Sequence, residues 1–250
     1  MVKSDLRVFI EDNLIPKDIL LECESRCPSN NLNDESKHIQ EYCTYPVKEE
    51  IGKQWNIPPD ECYLKQGLVV DENEPLEYFT TTEWKKKVAK ILDVDYKRMS
   101  FNVFKYRTNI ENTNGLWLHT DKDLQPNRNI EILMYVNNEE WKPEYGGELL
   151  LFSNENKIDN KKRKEYNEWQ NGRVMTELSE LNIGDIIRTK GIGGPWHSHD
   201  KLVDFKLEKK IPPLFGRVVI IDYRDNYNIH AVTPKKKFNR KTIEAYWEYE

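Results

Sequence analysis

The chain has 250 residues, a length that suits one good-sized domain, with 38% hydrophobic residues to build a core and 32% charged residues to cover it. A formal net charge of -5 argues against general affinity for nucleic acid, because no surplus of cations is present to displace counterions from phosphates. No apolar run is long enough to span a membrane, so the expectation is a cytoplasmic protein with neither a nucleic-acid nor a membrane partner.

In chain order, residues 7–15 read as a short strand and turn. Pro16 stands where a helix can begin, with Ile19, Leu20 and Cys23 on its apolar face. Residues 28–34 have the Ser, Asn and Asp composition of a loop, and 38–55 show no clear period beyond Trp55 and Ile57 as packing candidates. A second helix is expected from Thr82, with Thr82 as its cap and Trp84, Val88, Ile91 and Leu92 at helical spacing. The four cysteines, Cys23, Cys27, Cys43 and Cys62, complete no zinc signature and are expected to be reduced thiols. The lysine runs at 85–87, 161–164 and 235–237 have acidic neighbours and are expected on solvated faces.

From Ser100 the pattern changes to period two. Strands are expected at 101–106, 115–120, 130–136, 148–152 after the turn Tyr145-Gly146-Gly147, 217–222 and 242–249, with a further short one at 185–188. Several short strands separated by Gly, Asn and Pro turns favour a β-sandwich or jelly roll.

One strand carries the densest chemistry. In Leu116-Trp117-Leu118-His119-Thr120-Asp121, an imidazole and a carboxylate stand two residues apart and leave the same face of an extended chain. They form two thirds of a two-histidine, one-carboxylate iron site. His230, after the apolar strand ending at Asp222, is the third ligand candidate. Such a site leaves three coordination positions open on one face, enough for a bidentate keto acid and then dioxygen. The second carboxylate of a dicarboxylic keto acid calls for a fixed guanidinium, and Arg240 lies where the strand after His230 can supply it, with Lys237 and Lys241 as alternatives.

In order along the chain come His119-x-Asp121, Leu133-Met134-Tyr135-Val136-Asn137 with a Trp141 loop, Gly146-Gly147-Glu148-Leu149, Gly216-Arg217-Val218-Val219 and His230-Ala231-Val232-x-Pro234 with Arg240 beyond. This ordered set resembles the iron(II)/2-oxoglutarate-dependent oxygenases, in particular their prolyl-hydroxylase-like branch. The resemblance implies a mainly β fold with supporting helices (α+β), built on a double-stranded β-helix, a cupin-like jelly roll with iron at the mouth of the barrel. It implies one domain over 1–250, with 1–99 as partly helical support and 100–250 as the jelly-roll core carrying a long insert at about 153–211. His119, Asp121 and His230 map onto the metal triad, Arg240 onto the 2-oxoglutarate clamp, and Tyr135 and Tyr106 onto tyrosines that bond the cosubstrate. Iron(II), 2-oxoglutarate and dioxygen are the implied cofactors, with ascorbate as a candidate reductant. The implied chemistry couples decarboxylation of 2-oxoglutarate to hydroxylation of an unactivated C–H bond in a prolyl or other amino-acid-type substrate, free or peptidyl. Halide-using relatives lack the carboxylate ligand, so Asp121 favours hydroxylation.

Glu244 departs from the family pattern. If it faces inward it could orient Arg240 or meet a cationic substrate; otherwise a strand twist takes it to solvent. His197-Ser198-His199-Asp200 has a second metal-like spacing but lacks downstream partners, and is expected to be a loop. Trp117 and Trp247 are expected to pack. The rival readings are a non-catalytic jelly-roll binding module that keeps the motif and, more distantly, a zinc hydrolase, in which Arg240 would have no evident role.

Overall fold

The alternation that begins at Ser100 forms a long antiparallel strand. The computed structural model describes residues 6–27, 39–46, 63–70, 75–109, 116–122, 129–154, 163–164, 178–189 and 203–250. In order the strands are β1 (Val8–Asp12), β2 (Ile39–Pro46), β3 (Tyr63–Val70), β4 (Met99–Asn109), β5 (Leu116–His119), β6 (Ile130–Tyr135) and β7 (Leu149–Asn154), then β8 (Arg163–Lys164), β9 (Ile186–Thr189), β10 (Val203–Ile211), β11 (Arg217–Asp222), β12 (Ile229–Val232) and β13 (Arg240–Tyr249). Among the described residues, the α-helices α1 (Lys17–Arg26), α2 (Glu77–Thr80) and α3 (Thr82–Leu92) precede β4.

The strands form a seven-stranded sheet of order β1-β11-β6-β13-β4-β3-β2 and a six-stranded sheet of order β5-β12-β7-β10-β9-β8. All described pairings are antiparallel except β8 with β9. Leu133, Tyr135, Val219 and Ile221 of the larger sheet share one apolar cluster with Leu149, Leu151, Ile211 and Val232 of the smaller. The inner faces of the two sheets therefore pack together, in the jelly-roll arrangement expected.

Opposite parity makes the outer faces. Ile130, Ile132, Met134, Val218, Ile220, Ile243 and Trp247 pack against Leu20 and Cys23 of α1 and Trp84, Val88 and Leu92 of α3. Strands covered on both faces read as continuous apolar runs, which is why β6 is buried along its whole length. The cap of α3 is Thr81 rather than Thr82: its Oγ1 accepts from Trp84 N at 3.2 Å, a contact worth about 1 kcal/mol.

The short strand expected within 7–15 is β1, which pairs with β11, and Asp12 receives two 2.8 Å bonds from Arg217. The stretch expected as an insert supplies β10, which pairs along β7 and buries Phe205 and Leu207. β2 and β3, which no period announced, extend the larger sheet beyond β4. His197, His199 and Asp200 lie outside the described residues, as do the side chains of Trp117 and Cys43 and all of Cys62. Cys23 and Cys27 are buried free thiols.

Candidate functional site

The site begins where β5 and β12 meet. Their register sets His230 directly opposite His119. His119 ends its strand there, and its side chain lies outside the described residues. Two residues on, Asp121 leaves the strand, and its Oδ2 comes 3.6 Å from Nε2 of His230. The loop that carries Asp121 is fastened to the one preceding β12. Thr120 Oγ1 donates to the carbonyl of Tyr227 at 2.5 Å, and Lys122 Nζ donates to that of Arg224 at 3.3 Å and lies 4.7 Å from the Tyr227 ring centroid.

His230 is buried and aligned by the chain before it. Its Nδ1 is 3.0 Å from the carbonyl of Asn228, which can only accept, so Nδ1 carries a proton and Nε2 is the ring nitrogen turned toward Asp121. Asn228 is itself held in a left-handed conformation, φ 42°, where its side chain donates to Asp222 O at 2.6 Å and accepts from Arg7 N at 3.2 Å. Asp222 sits between Arg7 and Arg224 at 2.7 Å from each. Burial alone would raise the pKa of that carboxyl, but hydrogen bonds from Arg224 and Arg7 outweigh it and hold the group below the usual carboxylate range. A carboxylate oxygen and an imidazole nitrogen so placed suit a divalent cation.

Arg240 opens β13 and is 4% exposed. Its Nη2 donates to the Tyr135 hydroxyl at 3.5 Å and its Nη1 to Asn109 Oδ1 at 3.4 Å, while its Cζ lies 5.2 Å from the Tyr135 ring centroid. Burial pushes the Tyr135 phenol up in pKa, with Arg240 pulling it back. Beside them Lys235 is buried and donates to the carbonyl of Asn109. The two glycines of the Tyr145 turn make this close approach possible. A Cβ on Gly146, at φ 70°, would lie 2.0 Å from Pro234 O, and one on Gly147, at φ 78°, would lie 3.0 Å from Lys235 Cγ and 3.5 Å from Arg240 Cδ. Arg240 Nε and Thr242 Oγ1 are buried with no hydrogen-bond partner among the described residues. Such atoms fit a buried anion that would complete them.

Of the residues singled out in the sequence, Asp121 and His230 converge in one place and Arg240 and Tyr135 in another. Tyr106 joins neither. It is paired with Ile243, so it lies on the outer parity of β4, edge-on to Phe104 at 5.2 Å between ring centroids and beside Arg26 of α1. The inner β4 residue beside Arg240 is Asn109, opposite it in register. Glu244 is inward and buried, but its partner is Arg107, at 2.6 Å, rather than Arg240. Lys241 points away to Glu24, at 3.3 Å. Asn109, Arg107, Glu131 and Lys235 were missed. Parity with Arg240 was the signal for the first two, whereas Lys235 had the look of a surface lysine run.

A family model described as the 2OG-Fe(II) oxygenase superfamily matches residues 101–248. Among solved structures, a prolyl-4-hydroxylase from Pseudomonas putida is similar with a TM-score of 0.50 and 11% identity, over 99% of this chain and 95% of that one. A viral collagen prolyl hydroxylase from Paramecium bursaria Chlorella virus-1, solved with 2OG, gives 0.47 and 12% identity over 97% of this chain and 96% of that one. A prolyl hydroxylase from Trichoplax adhaerens, in complex with a hypoxia inducible factor peptide fragment, gives 0.47 and 11% identity over 97% and 83%. At 11% identity the likeness to the Pseudomonas putida enzyme concerns the fold alone. No curated protein matches the sequence.

Proposed function

We propose a hydroxylase function for this chain, which belongs to the 2OG-Fe(II) oxygenase superfamily and shares its use of iron(II), 2-oxoglutarate and dioxygen. The reading is a dioxygenase that couples decarboxylation of 2-oxoglutarate to hydroxylation of an unactivated C–H bond in a prolyl or other amino-acid-type substrate. The observation that carries it is the convergence of His230 Nε2 and Asp121 Oδ2, 3.6 Å apart, at the strand end where His119 faces His230 in register.

His119, Asp121 and His230 would hold the iron. Arg240, Tyr135 and the hydroxyl of Thr242 would hold the distal carboxylate of 2-oxoglutarate, whose charge would complete the atoms that lack partners at that end. When bound, iron and 2-oxoglutarate supply oxygen activation, which no side chain can provide. This chain's own residues do the positioning. Asn228 fixes the ring of His230, and the Thr120 and Lys122 bonds fix the Asp121 loop. Arg240, pinned between Tyr135 and Asn109, offers a guanidinium whose orientation is already set, so binding costs little side-chain entropy. The inter-sheet apolar cluster excludes water from the floor of the site. No helix among the described residues is long and apolar enough to cross a membrane, and the free thiols of Cys23 and Cys27 suit a reducing, cytoplasmic setting.

The test is succinate formation from 2-oxoglutarate in air with iron(II) and ascorbate, without an added prime substrate, beside His119→Ala and Arg240→Ala proteins. Succinate from the wild type and not from His119→Ala supports the reading. If wild type gives no succinate and shows no visible charge-transfer band with iron(II) and 2-oxoglutarate under anaerobic conditions, the chain is a binding module instead.

A further inference from the structure

Residues two apart on a strand share a face, so Arg240, Thr242, Glu244 and Tyr246 follow one another along the inner side of β13. Register sets Thr242 beside Tyr135 and Arg107, Glu244 beside Leu133 and Lys105, and Tyr246 beside Glu131. The cosubstrate end lies at Arg240. Farther along the same face is a second polar group with no part in holding 2-oxoglutarate. Arg107 Nη1 meets Glu244 Oε1 at 2.6 Å, the Tyr223 hydroxyl donates to Glu131 Oε2 at 2.8 Å, and the Tyr246 hydroxyl lies 3.5 Å from Glu131 Oε1. His230 stands opposite Leu151 in register, and Leu151 shares the inter-sheet cluster with Leu133, the neighbour of Glu244, so this group and His230 face the same space between the sheets.

Elsewhere the inner faces are filled by Leu133, Leu149, Leu151 and Val219. Charged groups in their place are costly unless every polar atom is satisfied. Glu244 is 5% exposed and spends only one oxygen on Arg107; Oε2 has no partner among the described residues. Among the described residues, Arg107 is the guanidinium on this wall and Lys105 stands opposite Glu244 in register, yet Glu244 Oε2 is reached by neither, while burial pushes Glu131 up toward its neutral form. What is lacking at Glu244 is a donor, and a positively charged one fits best.

We infer that Glu244, with Glu131 beside it, forms the substrate subsite, and that the substrate carries a cationic nitrogen, an ammonium or a guanidinium, which Glu244 Oε2 accepts. The inference rests on the hydroxylase reading and narrows it to amino-acid-type substrates with a positive charge: a free amino acid, or a lysyl or arginyl side chain. A prolyl residue inside a polypeptide carries no such charge and is the class it excludes.

The test compares molecules that differ in that charge. Binding is measured by calorimetry on the full chain with Mn(II) and 2-oxoglutarate for three pairs: N-acetyl-lysine amide and N-acetyl-norleucine amide, N-acetyl-arginine amide and N-acetyl-citrulline amide, L-proline and N-acetylproline. In at least one pair the cationic member is expected to bind at least about tenfold tighter, the range of a charged hydrogen bond, and Glu244→Gln to erase that difference. No binding in any pair, members of every pair within about threefold of each other, or a preference that survives in a folded Glu244→Gln protein would each overturn the inference. The wild-type pairs decide it even if the variant fails to fold. Succinate formation is scored separately, so loss of the oxygenase reading and loss of the subsite give different results.

Discussion

The Nδ1–H of His230 donates to the backbone carbonyl of Asn228 at 3.0 Å, and Asn228 is held in a left-handed turn by the carbonyl of Asp222 and the amide of Arg7. The orientation of the His230 imidazole thus depends on a residue of the N-terminal segment more than two hundred positions away. Asn228→Ala removes both side-chain bonds and asks a Cβ residue without local bonding to stay at positive φ. A stability loss of about 1–3 kcal/mol is expected in urea denaturation. Metal affinity should fall about 10–100-fold, the usual effect of losing a group that orients a ligand. Asn228→Gly relieves the backbone and still loses the side-chain bonds, so it should recover part of the stability and little of the affinity. Metal titrations unchanged in both variants would reduce Asn228 to a turn residue.

Arg240 is fixed before any anion arrives, by Tyr135 at 3.5 Å and Asn109 at 3.4 Å. Arg240→Ala should raise the KM for 2-oxoglutarate by about 10–100-fold, the range for a lost charge-assisted bond, with a smaller change in kcat. Arg240→Lys should recover little of it, since an ammonium cannot reproduce the planar fork. Tyr135→Phe should cost only several-fold. Equal losses in kcat and kcat/KM for Arg240→Ala would instead place the residue at the reacting atoms.

How far the site was legible varies from residue to residue, for physical reasons. Asp121, His230 and Arg240 stood out by spacing at strand ends and Tyr135 by the family resemblance alone, and the fold brings Asp121 to His230 and Tyr135 to Arg240. Tyr106 could not be placed. In Phe101-Asn102-Val103-Phe104-Lys105-Tyr106 both parities carry aromatic or apolar groups, and a strand covered on both faces does not announce which is inward. Continuing to Arg107 and Asn109 would have broken the tie, because a charged residue and an amide on one parity oppose Phe104 and Tyr106 on the other. Lys235 is buried only because the Gly146 turn folds over it, a tertiary fact that its neighbours Lys236 and Lys237 conceal. The fold core was read from the β6 and β11 runs; β2 and β3 were not, since neither shows alternation.

The Gly146 turn supplies a prediction about stability that is independent of chemistry. A methyl group there would lie 2.0 Å from the carbonyl oxygen of Pro234 at a φ that L-residues avoid. Gly146→Ala should therefore destabilise the protein by about 1–3 kcal/mol or more and loosen the Lys235 and Arg240 cradle. Thermal denaturation checks the first effect and 2-oxoglutarate affinity the second. A melting temperature equal to wild type would show that the Pro234 segment can move aside.

Cys23 and Cys27 lie in the core between α1 and the larger sheet, and burial pushes both thiols up to about 12. With so little thiolate they should resist alkylation in the folded protein at pH 8 and react only on unfolding, as mass spectrometry of iodoacetamide-labelled peptides would show. The same shift fixes the sign of their pH dependence. The folded state keeps its protons above the unfolded thiol value of about 8.5, so their contribution is fully present below that pH and is lost as pH rises toward the folded value. Stability in urea should thus fall between about pH 8.5 and 12, and less steeply in a Cys23→Ala, Cys27→Ala protein, which has no thiols there to ionise. Equal slopes in the two proteins, or ready labelling of Cys23 at pH 8, would mean that α1 opens from the sheet more easily than its packing implies.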